Sequence, residues 1–92
     1  MTEEKGYWVY ILLCADSTLY TGMAADVSRR EKQHNEGKGA KYTRSRLPVR
    51  VVYTEFCTSR SAALRREAAI KKLKREDKLR LIEQAGLSSK DI

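Results

Sequence analysis

The chain has 92 residues, a formal net charge of +7 and a hydrophobic fraction of 41%. That length gives one domain and not two, and the apolar fraction is too high for a disordered chain. No apolar run approaches the roughly 18 residues of a membrane span, and so positive a balance points to a polyanionic partner, most commonly nucleic acid.

The opening Met1-Thr2-Glu3-Glu4-Lys5 is polar, without the basic and then apolar pattern of a signal peptide. A cytoplasmic protein is expected, with Cys14 and Cys57 reduced. Both cysteines stand in apolar runs without a CxxC partner, so they read as small core residues.

Gly6 to Cys14 is aromatic and β-branched and reads as a strand buried on both faces. Ala15-Asp16-Ser17 is turn chemistry, and Thr18 to Thr21 reads as a second strand that ends at Gly22, completing a hairpin. Asp26 is a good N-cap for a helix from Val27 to Asn35 or Glu36, stopped by Gly37 and Gly39. A basic loop from Lys38 to Arg50 follows, and then a third strand from Val49 to Cys57. Thr58 or Ser59 caps a second helix, Arg60 to Leu73 or Lys74, with Ala62, Ala63, Ala69, Ile70 and Leu73 on its apolar face. A third helix covers Glu76 to Gln84, ends at Gly86 and leaves a frayed tail. The order β-β-α-β-α-α predicts an α/β (α+β) fold: a small three-stranded, mostly antiparallel sheet flanked by helices. The expected division is an extension over 1–6, a domain over 7–85 and a tail over 86–92.

Phosphodiester hydrolysis needs a positioned water, a positive group for the charge that grows on phosphate, and help for the leaving oxygen. The hairpin brings Tyr10 and Tyr20 into one neighbourhood. The next helix puts Arg30 and His34 on one face, and Glu67 stands at the edge of an apolar stripe. Each residue alone has a plain structural reading. The tyrosines suit packing, His34 suits a helix dipole, and Glu67 suits an i,i+4 ion pair with Lys71.

Taken together and in order, Trp8-Val9-Tyr10, Tyr20-Thr21-Gly22, the Asp26 to His34 segment and Glu67 with Ile70-Lys71-Lys72 resemble the GIY-YIG nuclease superfamily. The resemblance covers about Tyr7 to Ile82 and is greatest to its small, stand-alone bacterial members. It implies a three-stranded antiparallel sheet and an endonuclease acting on nucleic acid, DNA ahead of RNA. Glu67 would bind one Mg²⁺ or Mn²⁺ and Arg30 would stabilise phosphoryl charge. Tyr10 and Tyr20 would line the site, either one addressing the water, and His34 would assist substrate or proton transfer. Gly22 would allow a tight turn beside the site. The metal and Arg30 would favour phenolate, or the tyrosine would merely orient the water.

The sequence departs from the signatures at Trp8, which replaces Gly, and at Thr21, which replaces Ile. Met23 stands where several active members carry Lys, and no Asn follows the Glu67 helix. A module of this fold that binds DNA or RNA without cutting is therefore the alternative. Lys38, Lys41, Tyr42, Arg44 and Arg46 form the expected backbone-contacting loop, with Gly37 and Gly39 allowing close approach to phosphate. With no separate specificity domain, recognition is expected to rest on nucleic-acid structure or on a protein partner.

Overall fold

A computed structural model describes residues 6–86. Its elements are β1 (Tyr7–Leu13), β2 (Leu19–Ala24), α1 (Val27–Asn35), α2 (Lys41–Arg44), β3 (Arg50–Cys57), α3 (Arg60–Lys71) and α4 (Arg75–Gln84). The strands form one sheet in the order β2-β1-β3, with both pairings antiparallel.

The central position of β1 explains its unbroken apolar run. Successive side chains point to opposite faces. Val9 and Ile11 pack with Ala63 of α3, Ile70 of α3 and Ile82 of α4. Tyr10 and Leu12 join Cys14 and Val49 on the other side, with Tyr20, Ala24 and Val27 against them. Helices thus cover both faces, and Val9 to Leu12 are all buried. Cys14 and Cys57 are free, buried core residues, as their sequence context indicates.

Local chemistry fixes the helix starts. Asp26 Oδ1 accepts from the Arg29 N–H at 3.1 Å, and Ser59 Oγ accepts from Ala62 N–H at 3.1 Å. Side chains of α1 then stitch it to β3. Asn35 both donates to the Val49 carbonyl (2.9 Å) and accepts from the Val49 N–H (2.7 Å). Glu31 accepts from the Val51 N–H at 2.7 Å, beside the register shift where Ile11 pairs with Tyr53 but Leu12 with Val51. On the far face Glu55 takes hydrogen bonds from Tyr53 (2.6 Å) and Arg66 (2.8 Å), tying α3 to β3. Arg66, one of the basic residues of the late helices, is therefore occupied within the fold.

Four expectations need correction. β2 does not stop at Gly22 but runs on through Met23 to Ala24, and Gly22 is paired opposite Tyr10. The basic loop contains a single helical turn, α2, which the lack of apolar periodicity concealed. α3 ends at Lys71 rather than Leu73 or Lys74. Ala69 is exposed and lies off the packed face, which consists of Ala62, Ala63, Ile70 and Leu73. The tail from Leu87 to Ile92 and most of the N-terminal extension lie outside the described residues. Among the described residues no helix is long and apolar enough to cross a membrane.

Candidate active site

The site is built around the register pair Tyr10 and Gly22. β2 is an edge strand, and at Gly22 it has no side chain. The Tyr10 phenol fills that space: a Cβ at Gly22 would lie 2.6 Å from the Tyr10 oxygen. Gly22 is thus needed for close approach of a ring within a strand, not for a turn.

The phenol points to α1. Its oxygen lies 3.1 Å from His34 Nε2, and His34 Nδ1 lies 2.7 Å from Thr43 Oγ1 on α2. The Thr43 hydroxyl donates to the Ala40 carbonyl at 2.9 Å. It has one proton, so it accepts from His34, and Nδ1 carries the imidazole hydrogen. Nε2 is then the acceptor for the Tyr10 O–H. One chain of donors runs from Tyr10 through His34 and Thr43 to Ala40, and Tyr10, His34 and Thr43 are all buried. Gly39 seats the ring, because a Cβ there would lie 2.6 Å from His34 Cγ. The backbone at Gly39 therefore packs closely on an imidazole. Gly37, at φ 79°, has open space around it and serves the helix end.

Around this chain stand the other candidates. Tyr20 meets the His34 ring edge-on at 5.5 Å between centroids, and Tyr42 stacks on Tyr20 at 5.9 Å. Arg46 lies 3.9 Å over the Tyr42 ring, and its Nη1 donates to the Tyr42 carbonyl at 2.7 Å. Arg46 Nε is 2.9 Å from Asp16 Oδ2 and forms an ion pair with it. Arg46 is thereby a latch between the hairpin turn and α2. Lys38, Lys41 and Arg44 remain exposed nearby.

Arg30 donates to Gln33 Oε1 at 3.1 Å, and its charge acts on the Tyr10 phenol. Glu67 comes from α3, on the other side of the sheet. Its side chain is only 16% exposed and pairs with Lys71 at 3.4 Å. Its charge adds, as the smallest contribution, to the rise of the Tyr10 phenol. The structure therefore gathers Tyr10, Tyr20, Arg30 and His34 on the α1 face, while Glu67 stands on α3 across the sheet.

Burial pushes the Tyr10 phenol above its ordinary value of 10.0. Arg30 opposes this by hydrogen bonding and charge, while Tyr20 and Glu67 add to it. Without a metal, then, burial outweighs the help expected from Arg30. Burial also holds the His34 imidazole below its ordinary 6.5, and the Arg30 charge acts in the same direction. His34 is accordingly a neutral acceptor at neutral pH.

That depression has a sign. Below pH 6.5 the unfolded chain binds a proton at His34 that the folded chain does not. Stability from this residue is therefore present above pH 6.5 and is lost as pH falls through the folded value. His34 is the one histidine of the sequence, so its NMR titration is unambiguous. The expected midpoint lies below 6.5, with ¹⁵N shifts of the Nδ1–H tautomer on the alkaline side. A midpoint at or above 6.5 would contradict the buried acceptor.

Among the described residues, no three His, Cys, Asp or Glu side chains gather as a metal-ligand group. A dedicated protein cage is thus not what these residues make. A single carboxylate such as Glu67, with waters and substrate phosphate, does match the way Mg²⁺ is commonly held.

Thr43 was not apparent from sequence. It lies nine residues beyond His34, across a turn, and no periodicity links the two.

A profile described as the GIY-YIG catalytic domain matches residues 6–80. A UPF0213 protein of Syntrophus aciditrophicus is 54% identical over 82 residues, which is 88% of this chain and 93% of that one. One from Streptococcus agalactiae is 52% identical over 77 residues, covering 84% and 88%. Two solution NMR structures share the fold. The UPF0213 protein BH0048 of Bacillus halodurans matches at a TM-score of 0.58 and 47% identity, covering 88% of this chain and 86% of that one. The protein EF2693 of E. faecalis matches at a TM-score of 0.60 and 41% identity, covering 91% and 90%. The chain belongs to the GIY-YIG family, among its UPF0213 proteins.

Proposed function

We propose that this protein is a metal-dependent endonuclease that hydrolyses phosphodiester bonds in DNA and selects substrate structure rather than sequence. The observation that carries this reading is the buried Tyr10–His34–Thr43 chain, whose polarity leaves His34 Nε2 ready to accept a proton from the phenol.

In this mechanism a water held within the sheltered site gives a proton to the Tyr10 oxygen as Tyr10 passes its own to His34 Nε2. The hydroxide attacks phosphorus, the P–O bond to the leaving oxygen breaks, and that oxygen takes a proton from solvent. His34 becomes imidazolium, still anchored through Nδ1–H to Thr43. The raised Tyr10 value argues against a standing phenolate, and a relay does not need one. Arg30 offsets the charge that develops on the non-bridging oxygens. Tyr20 walls the site and, through Tyr42, joins it to the basic surface of Lys38, Lys41 and Arg44, which would hold the strand backbone. Glu67 would hold one Mg²⁺ or Mn²⁺, which when bound supplies Lewis-acid charge to the phosphoryl and leaving oxygens.

A second reading, a module that binds without cutting, is favoured by Met23, which packs against the apolar core at the position where the family resemblance gives several active members a Lys. The test is incubation of purified protein with supercoiled plasmid and with flapped, branched and single-stranded oligonucleotides, in Mg²⁺, Mn²⁺ or EDTA. The nuclease reading expects metal-dependent cutting that favours the flapped and branched substrates. Salt-sensitive binding without cutting would transfer the assignment to the binding module.

A further inference from the structure

A groove of about 380 Å³ opens beside the site, lined by Trp8, Ala25, Asp26, Val27, Ser28 and Thr54. Trp8 is 36% exposed, unusual for the largest apolar side chain. It is not loosely placed. Phe56 meets it edge-on at 5.1 Å and 65°. Gly6 leaves room for Phe56, since a Cβ there would be 2.5 Å from the Phe56 ring. Trp8 thus presents part of its indole to the groove and is held by its neighbours.

Its position matters more than its exposure. Trp8 and Tyr10 lie two residues apart on β1, so they share a sheet face at a separation of about 7 Å. Thr54, paired with Tyr10 in the sheet, lines the same groove. An aromatic face, the polar side chains of Asp26, Ser28 and Thr54, and a strongly basic chain suit a flat heteroaromatic ring carried on a polyanion.

We propose that this groove seats an unpaired nucleobase stacked on Trp8, next to the phosphate addressed by Tyr10. This rests on the nuclease reading and gives it a substrate class: DNA with unpaired nucleotides at the cut, because a base within a duplex is stacked on its neighbours and cannot reach Trp8. Selection of structure would then arise inside the domain.

Trp8 is the single tryptophan of the sequence, so its fluorescence reports on the groove alone. The wild-type protein, kept in EDTA to prevent cutting, would be titrated with a short oligo(dT) and with a blunt duplex of equal length. Binding would be followed in parallel by anisotropy of end-labelled DNA. The expected result is quenching of Trp8 by oligo(dT) at the binding midpoint, and little quenching by bound duplex. Trp8→Leu should weaken oligo(dT) binding about tenfold and leave duplex binding nearly unchanged. Should that variant fail to fold, the wild-type quenching decides. Oligo(dT) binding that leaves Trp8 unquenched, or equal quenching by duplex, would overturn the base seat while leaving the nuclease reading intact. Failure of both DNAs to bind would overturn both.

Discussion

Glu67→Gln should leave the protein folded and slow metal-dependent cleavage by about 10²–10³-fold or more. The change is isosteric, and Glu67 is the carboxylate among the described residues whose charge reaches Tyr10. Folding should barely register the substitution. The ion pair with Lys71, itself about half exposed, is an i,i+4 surface pair worth roughly 0.3–0.5 kcal/mol. Single-turnover rates on a flapped substrate in Mg²⁺, beside a thermal melt, separate the two effects. A melt close to wild type with a rate within a few-fold of it would remove Glu67 from the chemistry.

The second large effect is on folding. Gly39→Ala forces a methyl group into the His34 ring, which is completely buried and held at both nitrogens. Neither the ring nor the loop backbone can yield without breaking the Tyr10–His34–Thr43 chain. Overpacking of this kind costs about 1–3 kcal/mol, and at about 4–8 °C per kcal/mol for a domain this size the melting temperature should fall visibly. Gly37→Ala is the control. It meets no neighbour, but its φ of 79° penalises a side chain by about 1–2 kcal/mol. Both variants should be less stable, yet only Gly39→Ala should disturb the His34 NMR signals. Unchanged His34 shifts in Gly39→Ala would show that the packing around the ring is looser than described.

The contrast between these two glycines shows what a sequence discloses. Gly37 stops a helix by its backbone angle, and that is a local property a reader of the chain can infer. Gly39 and Gly22 are required by rings that arrive from elsewhere, and their sequence neighbours do not announce this. The same division runs through the fold. The run Val9 to Leu12 announces a central strand, and Asp26 and Ser59 announce helix starts, because each depends on near neighbours. The turn of α2 has no apolar stripe to reveal it. Thr43 matters only because that turn sets its hydroxyl against His34. Four of the five candidate catalytic residues were legible as a group on the α1 face through motif order, and Glu67 through its place at the edge of a stripe. Their electrostatics were not legible: the burial that raises Tyr10 and depresses His34 is a tertiary property. Arg46, read as a phosphate contact, is drawn inward by Asp16 and Tyr42, partners that no spacing rule supplies.

In the proposed mechanism the Tyr10 hydroxyl, working through His34, activates the attacking water. Tyr10→Phe tests it most directly, since it keeps the ring over Gly22 and removes one oxygen. Single-turnover cleavage by this variant in Mg²⁺ would be measured beside Tyr20→Phe and the wild type. The account predicts a folded Tyr10→Phe protein that cuts at least about 10²-fold more slowly, the scale of general acid–base catalysis, with a smaller loss for Tyr20→Phe. Cleavage by folded Tyr10→Phe at the wild-type rate would contradict it.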